Sequence, residues 1–150
     1  MTKGIYRSAL KRALGAQYED IESIPLMVTV VRIDLYQVSL RNDAVFADVP
    51  EEARVQTVQL TGVKVKSGGV YADNILFRDV GSIENPLEVE FVFWQDTGDE
   101  KASPLFCYLG KAGETFGFGN LNQYFPVLTN GGDISLFWDS GPFAFIPDWG

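Results

Sequence analysis

The sequence predicts an all-β protein, an antiparallel β-sandwich or barrel with a short N-terminal amphipathic helix. Short stretches rich in β-branched and aromatic residues recur along the chain, and several of them alternate apolar and polar side chains. Turns built from Gly, Pro, Asn and Asp separate these stretches. Aromatic residues make up 13% of the 150 residues, a share that favours strands over helices.

The helical pattern lies at the N-terminus. Apolar side chains recur at helical spacing from Ile5 to Leu14, the opposite face is basic, and Gly15 is placed to end the helix. We therefore divide the chain into a helical arm, residues 1–15, and one β-sandwich domain, residues 16–150. Two arrangements of the arm are open: it packs on its own domain, or it bridges to the next subunit.

The first strands follow Pro25. The segment "LMVTVVRIDLYQV" is rich in β-branched residues, and "ARVQTVQL" alternates in polarity. The next segment, "VKVKSGGVYA", has the pattern of a hairpin that turns at Ser67-Gly68-Gly69.

The longest apolar strand is "LEVEFVFW". Its alternation predicts a core face that includes Phe91 and Phe93 and a solvent face that carries Glu88 and Glu90. The strand "SPLFCYLG" follows, with Pro104 at its start, where a missing amide is tolerated.

The C-terminal segment predicts a final β-hairpin. Residues 130–133, Asn-Gly-Gly-Asp, turn the chain into "DISLFW", and a second turn leads to "FAFI". The alternation in this segment places Ile134, Leu136 and Trp138 toward the core and Ser135 and Phe137 toward solvent.

The composition excludes most of the common catalytic arrangements. Histidine is absent, which excludes Ser-His-Asp and Cys-His arrangements and the commonest zinc ligand. Cys107 lies within an apolar strand and is expected to be a small buried hydrophobe. Gly110-Lys111 is followed by Ala112, whereas a phosphate-binding loop needs Ser or Thr there. We expect no enzyme, no catalytic residue, no cofactor and no metal.

Charge limits the partners. A net charge of −8 argues against nucleic-acid binding, and no apolar run reaches the roughly 20 residues of a membrane helix. The charge is uneven, because the arm is basic and no Lys or Arg follows Lys111. Such a chain is suited to head-to-tail docking between copies.

Four segments, "ADVPEEARV", "LTGVKVKSGGVYADNILF", "VFWQDTGDEKASPLFCYLG" and "NGGDISLFWDSG", occur in this order along the chain. Together they resemble a family of small structural proteins of tailed bacteriophages. That family carries Asp-Val-Pro before Ala-Arg-Val, then a Leu-Thr-Gly-Lys-type strand with a Gly-Val-Phe-Asp-Ala-Asp-like hairpin return. A Tyr-Lys-Asp-Thr-Gly turn, a Ser-Pro-Leu-Ile strand and a final Pro-Asn-Gly-Gly-Asp with Trp-Asp follow. This chain departs from the pattern at Trp94-Gln95, where the family usually has Tyr-Lys. The N-terminal "IYRSALKRALG" is similar to its opening helix, so the resemblance runs from Ile5 to Gly141.

The resemblance implies a virion component without catalytic activity, assembled in the host bacterial cytoplasm. We expect a capsid decoration (cement) protein that binds the major capsid protein, or other virion proteins, as a homo-oligomer. A neck, tail or fibre-attachment component is the alternative within this class. A carbohydrate-binding β-sandwich module is the alternative outside it.

The expected partner interface combines the arm with aromatic residues near the C-terminus. The aromatic stretch after Lys111 and the extended C-terminal end depart from the family pattern, so each is a candidate for a private contact. The candidate interface residues are Tyr6, Arg7, Leu10, Lys11, Arg12, Phe116, Phe118, Tyr124 and Trp149.

Overall fold

The computed structural model describes residues 6–9, 23–66, 69–110, 126–136 and 143–144. Within these residues the fold is all-β, as predicted. Two 3-10 turns, Phe46–Asp48 and Glu51–Ala53, lie between the first two strands. The strands are β1 (Leu26–Arg32), β2 (Arg54–Gln59), β3 (Lys64–Lys66), β4 (Gly69–Tyr71), β5 (Ile75–Phe77), β6 (Leu87–Gln95), β7 (Leu105–Leu109), β8 (Val127–Thr129), β9 (Ile134–Leu136) and β10 (Phe143–Ala144).

Strand β6 is the centre of the largest sheet. The order is β2-β1-β6-β7, with β8 also paired to β6, and every pair is antiparallel. One edge of β6 pairs with β1 from Val89 to Gln95. The other edge pairs with β8 from Leu87 to Val89 and with β7 from Phe91 to Trp94. Strands β7 and β8 therefore follow one another along the same side of β6.

The two-stranded sheet of β5 and β9 covers one face of β6. Ile75 and Phe77 are buried, whereas Leu76 between them is 40% exposed, as expected for a strand with one face on the core. The rings of Phe77 and Phe91 lie 5.7 Å apart. This packing of sheet on sheet forms one half of the hydrophobic core.

Irregular chain covers the opposite face of β6. The ring of Phe46 stacks on Trp94 with centroids 3.7 Å apart and an angle of 5° between the planes. Tyr36 packs edge-on against Tyr108 at 6.1 Å. Glu90 lies on this face and is only 4% exposed, so the predicted solvent position is wrong. Alternation correctly divides the strand into two faces, but it does not show that a second layer covers the polar one.

The smaller predicted strands need one correction. The hairpin of β3 and β4 forms as expected, with Lys66 opposite Gly69. The final hairpin does not: β9 pairs with β5, and β10 pairs with β4. The reason lies in backbone hydrogen bonds between residues far apart in sequence: the Gly131 amide donates to the Val80 carbonyl, and the Val80 amide donates to the Gly132 carbonyl. These bonds hold the turn beside the end of β5, and they bring β9 onto that strand.

The core and the sheet surface are tested by a matched pair of leucines. Leu105 on β7 is fully buried, whereas Leu128 on β8 is 70% exposed. We expect Leu105→Ala to lower the free energy of unfolding by about 2–5 kcal/mol, because it leaves a cavity. Leu128→Ala should cost about 0.5 kcal/mol or less. Urea unfolding measures both, and equal losses would contradict the arrangement of this sheet.

Candidate interaction site

The N-terminal segment is anchored on its own domain. Residues 7–9 are helical, and the side chains of Tyr6 and Ala9 are fully buried. The Tyr6 amide donates to the Phe106 carbonyl of β7 at 3.2 Å, and the Arg7 amide donates to the Leu40 carbonyl at 2.7 Å. Of the two arrangements open for the arm, these residues follow the one in which it packs on its own domain.

The Tyr6 hydroxyl belongs to a buried chain of hydrogen bonds. It lies 2.9 Å from the Tyr36 hydroxyl, which donates to Asp43 Oδ2 at 2.7 Å. A hydroxyl has one hydrogen, so Tyr6 is the donor to Tyr36. Asp43 Oδ2 also accepts the Ser39 amide at 2.9 Å. The chain satisfies polar groups whose burial would otherwise cost about 1–3 kcal/mol each.

A second tyrosine–carboxylate pair lies beside this chain. The Tyr108 hydroxyl donates to Glu90 Oε1 at 2.5 Å, and both residues are buried. Gly110 leaves room for the carboxylate, because a Cβ there would lie 2.5 Å from Glu90 Cδ. Together we call Tyr6, Tyr36, Tyr108, Asp43 and Glu90 the tyrosine cluster.

The electrostatics of the cluster favour a structural role. Burial raises the pKa of Tyr6 and, together with the Glu90 charge, that of Tyr108. The pKa of Tyr36 is raised as well, first by burial and then by its hydrogen bond to Asp43. The three hydroxyls therefore stay protonated and act as donors. Burial also raises the pKa of the Cys107 thiol, which is 1% exposed, so the prediction of a small buried hydrophobe is confirmed.

The sequence motifs meet one another in space. Arg54, from the Ala-Arg-Val motif, donates to Glu100 Oε1 at 2.9 Å and to the Val49 carbonyl at 2.8 Å. Its guanidinium lies 4.0 Å above the ring of Phe46. The Phe46 amide donates to the Ser103 carbonyl at 2.8 Å. The Asp-Val-Pro segment and the loop between Asp-Thr-Gly and Ser-Pro-Leu therefore form one junction, between the end of β6 and the start of β7.

Two further junctions follow the same scheme. In the first, Thr61 Oγ1 donates to Asp73 Oδ2 at 2.9 Å, and the Asp73 amide donates to the Thr61 carbonyl. Gly62 between them has a φ of +64°, and a Cβ there would lie 2.7 Å from Asp73 Oδ1. In the second, the Asp79 amide donates to Asp133 Oδ1 at 2.9 Å. These acids bind backbone and hydroxyl groups in turns, as their sequence setting indicates.

The predicted interface residues differ in where they lie in the structure. Tyr6 fills the core of its own domain and is not accessible to a partner, which corrects the expectation at this position. Arg7 beside it is exposed and keeps its candidate role. The remaining candidates lie outside the described residues: Leu10, Lys11, Arg12, Phe116, Phe118, Tyr124 and Trp149.

Sequence reasoning missed two exposed apolar side chains. Ile83 is 85% exposed and Leu128 is 70% exposed. Ile83 stands in the polar turn "GSIEN", where an isolated apolar residue is the only available signal. Leu128 lies in a short strand whose sequence does not alternate between apolar and polar residues.

The described residues contain no group of three or more Cys, Asp or Glu residues placed to hold a metal ion. No helix in this part of the chain is long and apolar enough to cross a membrane. Comparison of the chain with protein-family models, curated proteins and solved structures finds no match.

The anchoring of the N-terminal segment is tested by two neighbouring residues. Tyr6→Ala removes a buried ring and should lower the free energy of unfolding by about 3–5 kcal/mol. Arg7→Ala changes an exposed side chain and should cost about 0.5 kcal/mol or less. Chemical unfolding of the full chain measures both. A Tyr6→Ala protein as stable as the wild type would show that this segment is not part of the core.

The buried carboxylate is tested against the exposed one on the same face of β6. Glu90→Ala leaves the buried Tyr108 hydroxyl without this acceptor, and we expect a loss of about 2–3 kcal/mol. Glu90→Gln keeps an acceptor and should lose less, while Glu88→Ala should cost about 0.5 kcal/mol or less. Thermal unfolding ranks the three variants. The reverse ranking of Glu88 and Glu90 would contradict the burial of Glu90 beneath the second layer.

Proposed function

We propose that this chain is a structural component of a tailed-bacteriophage virion, and specifically a capsid decoration protein. In this role it binds the major capsid protein, or another virion protein, through protein–protein contacts and works as a homo-oligomer. Its place of action is the virion surface, after assembly in the host bacterial cytoplasm.

One observation carries the proposal. The segments that resemble the phage family interlock in space. Asp-Val-Pro and Ala-Arg-Val lie on the loop between Asp-Thr-Gly and Ser-Pro-Leu, Leu-Thr-Gly lies on Ala-Asp, and Asn-Gly-Gly-Asp lies beside the end of β5. Residues that bond to one another across the fold form a linked set, because each turn holds its partner in position. The resemblance therefore concerns a complete set of fold-determining junctions, which supports a common architecture better than separate short motifs do.

The exposed surface supports the same class. Ile83 and Leu128 present large apolar side chains to solvent, and a contiguous apolar patch is suited to protein–protein contact. The tyrosine cluster is closed and holds protonated hydroxyls, so its chemistry is that of a scaffold.

The proposal is tested on particles of the phage that encodes the chain. Quantitative mass spectrometry of purified virions gives the copy number relative to the major capsid protein. We expect on the order of hundreds of copies, as a shell with repeated symmetric sites requires. About a dozen copies or fewer would instead assign the chain to the neck, tail or fibre attachment. Absence from purified particles would overturn the proposal.

A glycan array on the isolated protein tests the alternative that the chain is a carbohydrate-binding module. A virion decoration protein that works through protein contacts should bind no glycan. Specific binding that is lost on Phe116→Ala or Tyr124→Ala would favour the carbohydrate-binding function.

A further inference from the structure

One surface of the protein combines exposed apolar side chains with acids. Leu128 on β8 is directly opposite Glu88 on β6, so both side chains project from the same face of the sheet. The turn that carries Ile83 packs next to the end of β8, since a Cβ on Gly81 would lie 3.0 Å from the Thr129 carbonyl oxygen. We call Ile83, Glu84, Glu88 and Leu128 the apolar–acidic surface.

A groove adjoins this surface at Glu88. Its volume is about 190 Å³, and its lining consists of Arg32, Asp34, Pro86, Leu87 and Glu88. The Arg32 guanidinium makes two hydrogen bonds to the Asp34 carboxylate, at 3.1 and 2.7 Å, which also lowers the pKa of Asp34. With that pair neutralised, the Glu88 carboxylate is the charge that the groove offers to an incoming cation.

A second surface carries the opposite charge. Arg7 and Arg41 are both exposed. They lie on neighbouring backbone, because the Arg7 amide donates to the carbonyl of Leu40, the residue before Arg41. Since Tyr6 is anchored in the core, Arg7 is held in place by a rigid neighbour. We call Arg7 and Arg41 the basic surface.

The two surfaces lie toward different ends of β6. The basic surface is attached to β7 at Phe106, and the next residue, Cys107, is opposite Phe93. The apolar–acidic surface is at Glu88, about five residues earlier, or roughly 17 Å along the strand. A contact between two unlike surfaces that lie apart on a molecule is heterologous, and it can be repeated from copy to copy.

We propose that the apolar–acidic surface of one copy binds the basic surface of a second copy of this chain. The contact refines the homo-oligomer of the proposed function, and it does not require that the oligomer sit on a virion. Ile83 and Leu128 supply most of the affinity, because exposed ion pairs contribute little and mainly guide association. Glu84 and Glu88 select the orientation by pairing with Arg7 and Arg41.

The test uses two double variants of the full chain and their mixture. Ile83→Ser with Leu128→Ser disables the first surface, and Arg7→Glu with Arg41→Glu disables the second. All four residues are exposed, so both proteins should fold. Sedimentation velocity over about 1–300 µM should show self-association of the wild type and a dissociation constant at least about 10-fold weaker for each variant.

The mixture distinguishes this contact from a symmetric one. Each variant retains one working surface, so equal amounts of the two should form a dimer that grows no further. Controls are Leu76→Ser, at another exposed leucine, and Lys64→Glu with Lys101→Glu, an equal charge change elsewhere; both should associate like the wild type. A monomeric wild type, or a mixture that stays monomeric, would overturn the proposal. Either result leaves the copy number in virions as an independent measure of the proposed function.

Discussion

The fold depends on burial of the central strand β6 on both faces. One face packs under the β5–β9 sheet, where Phe91 meets Phe77. The other packs under irregular chain, where Trp94 lies beneath Phe46 and Tyr108 lies beside Tyr36. Burying a large aromatic side chain contributes about 1.5–3 kcal/mol, so the aromatic contacts of both layers stabilise the domain.

Polar groups on the second face are buried and need hydrogen-bond partners, which the tyrosine cluster and the Trp94–Thr29 pair supply. Trp94 Nε1 donates to Thr29 Oγ1 at 2.8 Å, and Tyr108 donates to Glu90, so buried donors on this face have acceptors. The N-terminal segment completes the layer through Tyr6. The same anchoring holds Arg7 at the surface, and this links the stability of the core to the surface that we propose for docking.

Local pattern predicted the strands well and predicted the layers poorly. The β-branched content of "LMVTVVR" and the alternation of "LEVEFVFW" reflect the backbone geometry of a strand, so β1 and β6 follow directly from the sequence. The position of Glu90 depends on chain far away in sequence, and no pattern within β6 carries that information. The pairing of β9 with β5 is likewise set by backbone hydrogen bonds between Val80 and the turn at Gly131. The exposure of Leu128 likewise depends on how the strands pack together, which the local sequence does not show.

Native-state hydrogen exchange at Arg7 and at Phe91–Phe93 tests most directly whether the N-terminal segment belongs to the second layer over β6. The Arg7 amide donates to Leu40, and β6 is buried between two layers. If the N-terminal segment is part of the second layer, the Arg7 amide should exchange only through an opening nearly as costly as that of β6. Exchange of Arg7 at the rate of an unstructured peptide, with β6 still protected, would contradict the claim that this segment completes the core.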